Sequence, residues 1–134
     1  MSRVLLIAAD KPLPLWMFDQ QIRRTTEDIP NPVLCGFSVF KNSYYRQAVD
    51  DLGYPMKPYQ YELYLYSDEA DFHDLCAYLR EHFAPGETVE LWNVWVGDVN
   101  PPMPPHFSGI LEEFDFDTLR QFFEQEVCWM TITI

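Results

Sequence analysis

Hydrophobic positions recur along the chain with two different periods, and the switches between them mark out the elements. VLLIAA (Val4–Ala9) is an unbroken apolar run, which predicts a buried strand over residues 3–9. VLCGFSVF (residues 33–40) predicts a strand with Gly36 at a bulge. YQYELYLY (residues 59–66) predicts a strand with one fully apolar or aromatic face. ETVELWNVWVG (Glu87–Gly97), HFSGILEE (His106–Glu113) and VCWMTITI (Val127–Ile134) predict three more.

Helical spacing appears in three places. Tyr44, Tyr45, Ala48, Val49 and Leu52 follow Ser43 as an N-cap and stop at Gly53. Phe72, Leu75, Cys76, Leu79 and Phe83 form one stripe over residues 68–83, with Ser67 or Asp68 as cap. Phe116, Leu119, Phe122 and Phe123 form another over residues 115–126. The proline-punctuated stretch between the first two strands carries Leu13, Leu15, Trp16 and Phe18, expected to pack down on the sheet.

From residue 59 onward the order is β-α-β-β-α-β. It predicts an α+β fold of the ferredoxin-like βαββαβ kind over about residues 59–134, an antiparallel sheet with two helices on one face. The expected organisation is a single domain, 1–134. Residues 1–56 form an N-terminal β-containing extension packed on or extending the sheet, and residues 57–134 the βαββαβ unit.

In that arrangement one sheet face lacks helices. The apolar row Cys128, Met130, Ile132 and Ile134 should meet the helices, leaving Trp129 on the open face. The row Tyr59, Tyr61, Leu63 and Leu65 likewise turns inward, placing Tyr64 and Tyr66 outward. On Glu87–Gly97 the row containing Asn93 and Trp95 is expected outward, because Asn93 is polar. The ligand or interface candidates are therefore Tyr64, Tyr66, Trp129, Asn93 and Trp95. Three readings of this aromatic face stay open: cover by residues 1–56, pairing with a second copy, or a ligand platform.

Charge then narrows the partners. The 134 residues carry a net charge of −12. Residues 1–56 are balanced, whereas in residues 57–134 only Lys57, Arg80 and Arg120 oppose fifteen acids. Such a surface repels phosphate backbones and anionic lipid, so nucleic-acid and membrane partners are excluded. The expected function is that of a small acidic, non-enzymatic interaction protein binding a basic protein partner or itself. Small immunity proteins that neutralise basic toxins use the same electrostatic logic; the chain resembles them in size and charge and in no motif. The alternative is a small-molecule binding domain or enzyme, with a pocket between the N-terminal segment and the aromatic face.

Specific chemistry finds little support. Cys35, Cys76 and Cys128 are odd in number and set among apolar neighbours, which predicts reduced thiols and a cytoplasmic location. The apolar run at Val4–Ala9 suits a strand better than a signal peptide. His73 and Cys76 stand three apart on one helix but lack a second ligand pair, so no metal is expected. Glu112, Glu113, Asp115 and Asp117 suit the start of a helix. PPMPP (Pro101–Pro105) rigidifies a connection. No phosphate-binding glycine loop or nucleophile motif occurs; no cofactor and no catalytic residue is expected.

Overall fold

The computed structural model describes residues 2–16, 36–65, 68–125 and 127–134. The chain forms an α+β fold built on one mixed six-stranded sheet. Among the described residues its elements are β1 (Ser2–Ala9), β2 (Ser38–Lys41), α1 (Arg46–Leu52), β3 (Tyr59–Tyr64), α2 (Glu69–His82), β4 (Thr88–Val96), β5 (His106–Ile110), a 3-10 turn (Leu111–Glu113), α3 (Phe116–Glu124) and β6 (Cys128–Thr133).

The strand order β2-β3-β1-β4-β6-β5 does not bear out the ferredoxin-like expectation. β1 inserts between β3 and β4, antiparallel to both, so the connection through α2 steps over a strand. β5 and β6, joined through α3, are parallel neighbours. The reason lies in β1 itself. A run that is apolar at every position suits a strand buried on both faces, hence the middle of a sheet. Leu6, Ile7, Ala8 and Ala9 are all fully buried. The first strand is thus the centre of the sheet and not an extension of it.

Two cores flank the sheet. On one face α2 and α3 bury Leu75, Leu79, Leu119 and Phe122 against Ile7, Leu63, Leu91 and Met130. On the other, α1 buries Val49 and Leu52 against Leu6, Trp92 and Val94, with Tyr54 and Met56 packed beside them. The segment that follows β2 therefore covers part of the face that carries neither α2 nor α3.

Local chemistry explains the helix ends. Asp68 caps α2 by accepting from the Asp71 amide at 2.8 Å, and Asp115 caps α3 by accepting from the Thr118 amide at 2.8 Å. α1 starts later than its pattern suggests: Tyr45 occupies the cap position without a side-chain bond, and the Ser43 amide donates to Lys41 instead. Gly53 ends α1 in the left-handed region (φ 70°), where Asn100 Oδ1 would lie 2.5 Å from any Cβ.

The second strand is shorter than Val33–Phe40, whose first three residues lie outside the described ones. Of the apolar residues in the proline-punctuated stretch, Leu13 packs into the core on the α2–α3 side, Leu15 is exposed, and so is Trp16. The Trp16 backbone bonds to Val39 and adds a bridge beyond β2, while Phe18 lies outside the described residues.

Candidate functional site

The five residues singled out by pattern do not gather into one patch. Tyr64 is on the α1 side of the sheet, 40% exposed, with its ring edge-on to Phe40 at 6.4 Å. Trp129 shares that face, but three strand spacings separate β3 from β6, about 14 Å at ~4.8 Å each. Tyr66 lies outside the described residues.

Asn93 and Trp95 correct the expected row on β4. Leu91 belongs to the α2–α3 core, and alternation puts Asn93 and Trp95 on the same side. Asn93 is fully buried there. Its amide donates to the Phe122 carbonyl at 3.0 Å and the Gln125 carbonyl at 3.3 Å, and accepts from Arg3 Nε at 2.7 Å. Arg3 also donates to the carbonyls of Phe123 and Gln125, so the pair satisfies the end of α3. A polar residue inside a helix-covered face is thus a helix-end anchor.

The opposite row of β4 supplies the aromatic centre. Tyr54 stacks on Trp92 (5.5 Å, 14°), Trp92 on Trp129 (4.4 Å, 6°), and Trp129 on His106 (3.8 Å, 25°). Glu90, buried beside this ladder, accepts from Trp92 Nε1 at 3.1 Å and the Lys57 amide at 2.9 Å. Trp92 has no exposed surface, and the Trp129 indole nitrogen is buried without a partner. The ladder is fully buried at Trp92, partly buried at Tyr54 and Trp129, and exposed at His106.

Exposure and charge concentrate elsewhere. Asp68, Glu69, Asp74 and Glu81 on α2, with Glu112, Glu113, Asp115, Asp117 and Glu124 along the 3-10 turn and α3, are all exposed. Arg80 and Arg120 are the arginines of this layer, and Arg120 is bound to Asp117 at 3.1 Å and to Glu124 at 3.9 Å. The rings of Phe114 and Phe116 meet Phe72 at 5.5 and 6.3 Å, which draws the acidic first turns of α2 and α3 together. The field is felt locally: burial and then the Asp68 charge push the Asp74 carboxyl above its ordinary range, while His73 opposes.

Among the described residues, Phe107 and Ile110, with Val99 and Met103 of the preceding loop, are exposed large hydrophobic residues. Phe107 and Ile110 belong to β5, which ends the sheet. A groove of 290 Å³ opens between β5 and α3, lined by Gly109, Phe114, Gln121, Phe122 and Met130 among others. A second cavity, of 610 Å³, lies at the β2–α1 turn beside Lys41, Asn42 and Arg46. Neither lies between the N-terminal segment and the aromatic ladder.

Sequence pattern alone missed β5 as a surface, since HFSGI reads as an ordinary strand. The signal available was its lack of alternation together with the proline run that isolates it. It also missed Arg3, whose partners are 90 or more residues away. No protein-family model matches the chain, nor does any curated protein or solved structure.

Among the described residues no helix is long and apolar enough to cross a membrane.

Proposed function

We propose that the protein is a non-enzymatic interaction module that docks a basic protein partner on the layer formed by α2, the 3-10 turn and α3. One observation carries the reading: nine exposed carboxylates share that layer with two arginines, one of them already ion-paired. Acids spread over a globule make it soluble; acids on one side give it a direction. A one-signed surface steers an oppositely charged partner and speeds encounter.

The rest of the surface fits this division. Lys11 pairs with Glu87 and Lys57 with Asp10, neutralising acids away from the helical layer. The two cysteines among the described residues do not favour catalysis: burial pushes Cys128 up to about 11 and raises Cys76, the reverse of what a nucleophile needs. Self-association through the helical layer would set its carboxylates against themselves, which disfavours a second copy as the occupant of this surface.

The test is an NMR titration with a lysine-rich peptide at low ionic strength. Amide shifts confined to residues 68–82 and 111–124 support the reading. Shifts spread evenly over all exposed acids, including Asp50, Asp51 and Asp98, refute it.

A further inference from the structure

A strand that ends a sheet offers unpaired backbone groups to solvent, and proteins blunt such edges with lysine, proline, bulges or a covering segment. β5 ends the sheet, bonded to β6 on one side, and all five of its residues are exposed. The strand contains neither lysine nor proline. Among the described residues its outer edge carries no strand partner.

The groove behind it has a specific cause. Gly109 pairs with Ile132, so it lies on the face that carries α3. A Cβ there would meet nothing within 4 Å. The missing side chain leaves a 290 Å³ recess walled by Phe107 and Phe122 and floored by Met130 and Ile132. That is below the roughly 300–1,000 Å³ of small-molecule sites and suits apolar side chains of a chain segment. Glu113 stands at its margin, with Glu112, Asp115 and Asp117 close by in sequence.

Edge, recess and charge together define an occupant. Building on the reading of an acidic docking layer, we propose that β5 accepts an extended basic segment of the partner as an added strand. An apolar side chain of that segment fills the recess at Gly109. Addition of a strand satisfies the open backbone groups, and alternate side chains of the incoming segment point to the helix face. Charge selects among occupants. A second copy would bring Glu112, Glu113 and Asp117 against themselves, whereas a lysine- or arginine-bearing strand pairs with them.

The probe is a short lysine peptide with valine at its central position, so that lysines two residues away share the valine's face, compared with the same peptide carrying glycine there. The first should bind about tenfold tighter, a difference of about 1.4 kcal/mol. Backbone amides within His106–Ile110 should gain hydrogen-exchange protection in that complex. Gly109→Val suits a strand and fills the recess; it should keep or raise the melting temperature and abolish the preference for the valine peptide. Equal binding of both peptides without protection of β5 overturns strand addition and leaves the acidic layer standing. Unchanged preference in Gly109→Val overturns it as well. Failure of both peptides to bind at low salt overturns the acidic layer and the added strand together.

Discussion

The indole of Trp92 lies flat on that of Trp129, with centroids 4.4 Å apart and planes 6° from parallel. The two residues are directly paired across β4 and β6, so the contact is a consequence of register. Parallel indoles at this distance couple electronically. Removing the stack in Trp129→Leu should weaken the near-UV circular dichroism that rings in fixed packing give. Trp92→Ala, at a site with no exposed surface, should cost about 3–5 kcal/mol in urea denaturation. A loss under about 1 kcal/mol would mean that Trp92 is not core.

Asn93 joins β1, β4 and the end of α3. Replacing it by leucine keeps the volume roughly constant but leaves the Phe122 carbonyl without its side-chain donor and Arg3 Nε without its acceptor. The expected loss is about 1–3 kcal/mol. Equal or greater stability in Asn93→Leu would show that the amide is dispensable at the helix end.

Two carboxylates are held below their ordinary range. Asp115 is lowered by the hydroxyl and amide of Thr118, Glu87 by the amide of Ala84 and then by Lys11. Each binds its proton less readily in the folded chain than in the unfolded one. Each therefore adds stability that is full above the unfolded pKa of about 4 and is lost as pH falls through the depressed folded value. The stability gap between wild type and Glu87→Gln should be constant near neutrality and should close as pH falls from about 5 to about 3. A gap that does not vary with pH would contradict this.

Cys128 is fully buried, and desolvation pushes its thiol up to about 11. Its Sγ–H donates to the Phe122 carbonyl at 3.5 Å. At neutral pH iodoacetamide should label Cys128 only as fast as the protein unfolds, with peptide mapping to separate it from the other cysteines. Rapid labelling of the folded chain would show that the thiol is accessible.

The sequence pattern was readable where one face of a strand is unambiguous. On β3 the row Leu63 and Leu65 turns to α2 and α3, and on β6 the row Cys128, Met130 and Ile132 does the same. β4 misleads because both of its rows are apolar with one polar interruption each, Glu90 in one and Asn93 in the other. Polarity alone cannot rank them. The answer depends on which partner each finds, Arg3 and two helix-end carbonyls for Asn93, the Lys57 amide and the Trp92 indole for Glu90. The place of β1 was written in its unalternating run, but strand order is a long-range property: Leu6 pairs with Glu62 on one side and Trp92 on the other. Helix boundaries followed side-chain caps where these exist, at Asp68 and Asp115, and shifted at α1, where none does. The acidic layer was visible as a charge excess after residue 57; its gathering on one side required the packing of α2 beside α3.

The most direct measurement is the rate of association with a lysine-rich peptide as a function of salt, for two variants of equal net charge. Glu69→Gln/Glu81→Gln/Glu113→Gln neutralises the helical layer, and Asp50→Asn/Asp51→Asn/Asp98→Asn neutralises exposed acids elsewhere. Directional charge predicts a slower association and a flatter salt dependence in the first variant, with the second behaving like wild type. Identical slowing in both would mean that total charge alone governs binding, and the helical layer would have no special role.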